Sequence, residues 1–113
     1  MKSVEVLTKA RELISDPAKW TQGASAKNRD GKVVGLMSDD AECFCLIGAI
    51  DRITLDGEDA DNDTAWAGAE AYRLTRDAIG GGAISEWNDE PKRTHADVIS
   101  ALDAAIEKAK AQS

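Results

Sequence analysis

The stretch Ala41-Glu42-Cys43-Phe44-Cys45-Leu46-Ile47-Gly48-Ala49-Ile50-Asp51-Arg52-Ile53-Thr54-Leu55 decides the fold. Phe44, Ile47, Ala49, Ile50 and Ile53 lie nearly all the way round a helical period, so the spacing predicts a central helix from Ala41 to Leu55, buried on most sides. Ser38-Asp39-Asp40 precedes it and offers side-chain oxygens to the unpaired N–H groups of a helix start. Gly48 costs about 1 kcal/mol of helix propensity relative to alanine, which points to close approach of another helix at that position.

Elements that can pack on this helix lie on both sides. Towards the N-terminus, Val6, Leu7, Ala10, Leu13 and Ile14 form one apolar stripe on a helix capped by Ser3 and ending near Ser15. Asp16-Pro17 reads as a cap followed by a first-turn proline, opening a short turn that brings Trp20 over the stripe as a lid. From Thr21 to Met37 the pattern changes. Glycines punctuate it, Asn28-Arg29-Asp30-Gly31 is a turn sequence, and Val33-Val34 favour extended backbone, so a short β-hairpin or ordered loop is expected at about 21–35.

Towards the C-terminus, residues 56–63 are an acidic loop, and Asp63 or Thr64 caps a third helix reaching Ile79 with Ala67, Ala71, Leu74 and Ala78 on its inner face. Gly80-Gly81-Gly82 ends it, because glycine tolerates the left-handed conformation after a helix. A loop carries Trp87-Asn88-Asp89-Glu90-Pro91. Thr94 with Asp97 then resembles a capping box, and the last helix runs to about Lys110, burying Val98, Leu102, Ala105, Ile106 and Ala109. The expected architecture is mainly α: a small bundle of three to five helices with a short β element, forming one domain over residues 1–113.

Composition narrows the classes of function. The chain is 42% apolar and 31% charged, so it is neither disordered nor membrane-embedded. The start, Met1-Lys2-Ser3-Val4-Glu5, holds no signal-length apolar run, and no stretch reaches the ~20 apolar residues of a membrane helix. A cytoplasmic protein is expected. A net charge of -7 repels phosphate backbones, making nucleic acid a poor partner and a basic protein a better one. Homo-oligomers stay open.

Four sets of residues carry candidate chemistry. Asp59, Asp61 and Asp63, with Glu70 at the twelfth position from Asp59, follow the oxygen spacing of a calcium-binding EF-hand loop, but Thr64 stands where the sharp turn demands glycine. The bland reading is a solvated loop whose carboxylates favour the dipole of the third helix. Cys45, near the start of the central helix, has a thiol pKa that the helix dipole can lower. With His95 and an orienting Asn88 or Asp89 it could form the nucleophilic site of a cysteine-dependent hydrolase or transferase, if the fold joins them. The bland reading is a small buried hydrophobe and an exposed first-turn histidine. Zinc held by Cys43, Cys45 and His95 fits poorly, since one intervening residue is not the usual cysteine spacing. Two helical thiols one residue apart would diverge, so a mutual disulfide is not expected and a reducing compartment is. Finally, Trp87, Asn88 and Asp89 form either a recognition loop or, on the structural reading, a packed tryptophan with polar groups satisfying helix-terminal amides, Arg93 bridging to Asp89. Trp66, beside the acidic loop, is an anchor for a partner if it is exposed.

Several of these elements together resemble a known family. Leu13-Ile14, Trp20-Thr21-Gln22-Gly23, Asp30-Gly31, Phe44-Cys45-x-x-Gly48-Ala49-Ile50 and Trp87-Asn88-Asp89-x-Pro91-x-x-Thr94 occur in that order, followed by a helix with Val98 and Leu102. The chain is similar over nearly its whole length to a family of small uncharacterised proteins from bacteria and their phages, a domain of unknown function. The resemblance implies that Trp20, Gly23, Cys45, Gly48, Trp87, Asn88, Asp89 and Thr94 belong to a shared framework, and supplies no substrate or cofactor. The expected function is a small acidic, non-enzymatic interaction protein, a phage accessory factor binding a host protein. The calcium or small-ligand module and the cysteine enzyme are the alternatives.

Overall fold

The computed structural model describes residues 1–56 and 62–112. Five helices pack around one hydrophobic cluster: α1 Ser3–Leu13, α2 Leu46–Leu55, α3 Asn62–Ala78, α4 Ile84–Asp89 and α5 His95–Gln112. Two short strands, β1 Ala26–Lys27 and β2 Cys43–Phe44, lie between α1 and α2.

The stripe on α1 enters the core as expected, with Val6, Leu7, Ala10 and Ile14 fully buried and Leu13 half-buried. Its start differs by one residue. Ser3 opens the helix and Lys2 precedes it in extended backbone, its N–H donating to Glu5 Oε1 at 3.4 Å. Asp16 caps a 3₁₀ turn at Pro17–Lys19, its carboxylate accepting from Ala18 N at 2.9 Å.

Helix α2 begins at Leu46 rather than Ala41, and the backbone bonds show why. Lys27 O accepts from Glu42 N at 2.9 Å, Ser25 O from Cys45 N at 3.2 Å, and Thr21 N donates to Phe44 O at 3.1 Å. Glu42 N, Phe44 O and Cys45 N are therefore spent on the segment that precedes them, and the helical bonds begin with Cys45 O, which accepts from Ala49 N at 2.8 Å. Ala26 stands opposite Phe44 and Lys27 opposite Cys43, antiparallel. On the other side of β1, an isolated bridge joins Lys27 to Val33 across the expected Asn28–Gly31 turn. Gly48 does permit close approach, but of this loop: a Cβ there would sit 2.3 Å from Ser25 O.

Helices α3 and α5 take the expected inner faces, but α3 starts at Asn62, so Asp63 and Thr64 lie inside its first turn rather than capping it, and Ala78 is only half-buried. Ala67, Ala71 and Leu74 on α3 face Val98, Leu102, Ala105, Ile106 and Ala109 on α5, and all are buried. Gly80 and Gly81, both at positive φ, close α3 with N–H bonds to Asp77 O and Arg76 O, the paired bonds of a Schellman motif. Thr94 and Asp97 form the capping box of α5, each side chain bonding the other's N–H at 3.1 Å. The segment expected as a loop around Trp87 is instead the six-residue helix α4, with Ile84 and Asn88 buried. No helix among the described residues is long and apolar enough to cross a membrane.

Candidate functional site

The candidate residues fall on two separate faces. The first gathers Cys45, Asn88, Asp89, Trp20 and His95 where α1, α2 and α4 meet. Asn88 is fully buried and uses its entire hydrogen-bonding capacity there. Its Oδ1 accepts from Trp20 Nε1 at 2.7 Å and from Leu46 N at 3.0 Å. Its Nδ2 donates to Thr21 O at 3.1 Å and to Asp89 Oδ1 at 2.9 Å. The opposite amide orientation would set N–H groups against N–H groups, so the network fixes it. Asp89 also accepts from Gly23 N at 2.9 Å, and Gln22 Nε2 donates to Asn88 O and Glu90 O at the end of α4.

Cys45 is the N-cap of α2, its sulfur accepting from Gly48 N at 3.2 Å. The expected lowering of its pKa does not follow. Burial pushes the thiol up, the charge of Asp89 adds to that, and the Gly48 N–H only partly opposes it. The thiol is 4% exposed and stays protonated at neutral pH. Cys43 is half-buried and donates to Ala18 O at 3.2 Å, and both cysteines are free. His95 is half-buried rather than exposed. Its Nε2 lies 2.7 Å from Ile14 O, and because a carbonyl only accepts, that nitrogen carries the proton. The ring thus closes the end of α1 and lies beside Trp20, with centroids 6.3 Å apart. Each member of the expected nucleophilic set is engaged in holding backbone ends. Arg93, expected to bridge to Asp89, instead donates to Trp87 O at 2.8 Å, pairs with Glu90, and lays its guanidinium 3.8 Å from the centre of the half-buried Trp87 ring.

Two members of the calcium pattern, Asp59 and Asp61, lie outside the described residues. The other two are on α3, whose helical backbone from Asn62 separates Asp63 and Glu70 by about 10 Å of rise. Glu70 is bound to the Arg73 guanidinium, which holds its carboxyl below the usual range. The described half of the pattern is helix, not an ion-binding loop. No group of histidine, cysteine and carboxylate side chains among the described residues could hold a metal ion.

Residues 1–108 match the model of a family of unknown function, DUF6197. The chain belongs to this family. No curated protein and no solved structure matches it.

The second face of this DUF6197 member is a surface groove. It lies between the start of α1 (residues 1–5), the first two turns of α3 and the end of α5, and encloses about 760 Å³. Val4, Ala67 and Ala109 form its apolar floor, and Trp66 stands at its edge, 76% exposed. Alternation of inner and outer positions along α3 explains the exposure: Ala67, Ala71 and Leu74 take the core side and leave Trp66 outside. Sequence patterning in an alanine-rich helix could not decide this, because Trp66 is larger than every residue that α3 does bury.

Proposed function

We propose that this DUF6197 protein is a small, acidic, non-enzymatic interaction module that binds a protein partner through the Trp66 face. The observation that carries this reading is an indole 76% exposed at the rim of an open groove with an apolar floor. Large exposed aromatic side chains cost solubility, and tryptophan is enriched among residues that dominate interface energies. Support also comes from the other face, where Cys45, Asn88 and His95 are committed to capping and to the core, so that none of the three is an activated nucleophile. The net charge of -7 favours a basic protein surface over nucleic acid. Where such a chain is carried by a phage, the partner would be a host protein met in the cytoplasm.

The reading is tested by capturing partners from a lysate of the native host with the wild-type chain and with Trp66→Ala, followed by native mass spectrometry. A defined host protein held by the wild type and lost from Trp66→Ala is the expected result. A set of captured proteins identical for both chains would overturn it.

A further inference from the structure

The interaction reading can be taken one step further, to the chemistry of the partner. Three of the molecule's other large rings are covered by cations or hydrogen bonds. Arg93 lies over Trp87, Arg52 lies 5.7 Å from the Phe44 centroid, and Trp20 donates to Asn88 beside His95. Trp66 alone among the three tryptophans has a side chain with no hydrogen bond, ring contact or cation from the described residues. Arg73, two turns further along the same helix, is already bound to Glu70 and pairs with Asp77. Glu5 and Asp63 line the groove, with Lys2 as the single cationic side chain among the described lining residues, beside the Met1 amino group.

We infer that the groove takes a protein segment that lays an arginine guanidinium over the Trp66 indole and seats a neighbouring large apolar side chain on Val4, Ala67 and Ala109. This rests on the interaction reading above. A tryptophan face is the strongest side-chain acceptor for a cation, and a guanidinium, flat and weakly hydrated, stacks on it better than an ammonium. Asp63, one helical turn before Trp66, adds a carboxylate on the same side for the guanidinium N–H groups. A second copy of this chain is disfavoured, since two molecules of charge -7 repel at long range and would bring both sets of groove carboxylates together.

The test is a selection of displayed random twelve-residue peptides on the full chain, followed by affinity measurement with the strongest peptide made synthetically. Enriched peptides carry arginine next to leucine, phenylalanine or another large apolar residue. Their affinity falls about tenfold with Trp66→Ala, falls less with Trp66→Phe, and weakens with added salt. Replacing the peptide arginine by lysine costs part of the affinity, and by glutamine most of it. No enrichment, enriched peptides without arginine, or equal binding to Trp66→Ala overturns the inference. So does sedimentation showing a dimer that Trp66→Ala dissolves, which would assign the groove to a second copy. A host protein captured through Trp66 while the selected peptides lack arginine would sink the partner chemistry and leave the interaction reading standing.

Discussion

Buried polar groups carry the sharpest consequences at the scale of single residues. Asn88 and Thr75 are both fully buried, yet only Asn88 is satisfied; the Thr75 hydroxyl has no hydrogen-bond partner among the described residues. Removing each should move stability in opposite directions. Asn88→Ala orphans Leu46 N, the Trp20 indole N–H and Thr21 O together, and is expected to cost about 3 kcal/mol in urea unfolding. Thr75→Val keeps the shape, removes an unpaired hydroxyl, and is expected to gain about 1 kcal/mol in the same assay. Asp51 gives the pH dependence. Burial raises its carboxyl pKa, and among the described residues it has no salt-bridge partner. A carboxyl raised on folding stabilises the fold only while protonated, and that contribution is lost as pH rises through the folded value. Asp51→Asn should therefore raise the melting temperature at pH 7, with the gain shrinking as pH falls through the raised folded value and gone below about 4, where the carboxyl is protonated in both states. A gain that persists unchanged at pH 3 would show that the charge is not its source.

Between the elements, the contact of α2 with the loop before it sets the geometry of this part of the core. Gly48 has two opposed effects on substitution. Gly48→Ala improves helix propensity by about 1 kcal/mol, but its Cβ would fall 2.3 Å from the backbone oxygen of Ser25. A backbone atom held by Cys45 N cannot step aside as a flexible side chain can. The clash wins, and a net loss of about 2 kcal/mol is expected by thermal or urea unfolding. Elements whose cause is local were legible in the sequence. The α1 and α5 stripes, the Thr94–Asp97 box and the glycine stop after α3 each depend on residues within a turn or two of one another. What the sequence concealed depends on distant partners. Cys43–Phe44 leave the helix because Ala26–Lys27, more than a dozen residues earlier, take their backbone bonds. Helix α4 is too short to show a period, and it stands because Gln22 and Arg93 satisfy its last carbonyls. The same holds at the candidate site: pattern named Asn88 as a group that could satisfy helix-terminal amides, but could not place His95 under Ile14.

For the whole molecule, the two faces divide the labour. One face holds the fold together through the Asn88 junction, and the other leaves the Trp66 ring without a partner among the described residues, at the rim of a groove. This separation lets the exposed face vary without loss of the core. The Asn88 junction has a further consequence, in time rather than in energy. Its bonds to Trp20, Thr21 and Leu46 join residues 68, 67 and 42 positions apart along the chain. A nucleus built from local helical contacts can form before such distant segments meet, so these bonds belong to the last stage of folding. In stopped-flow mixing, Asn88→Ala should then leave the refolding rate nearly unchanged and speed unfolding by roughly a hundredfold. The amide at position 88 would act as a latch on the finished chain, setting how long the protein stays folded rather than how quickly it gets there.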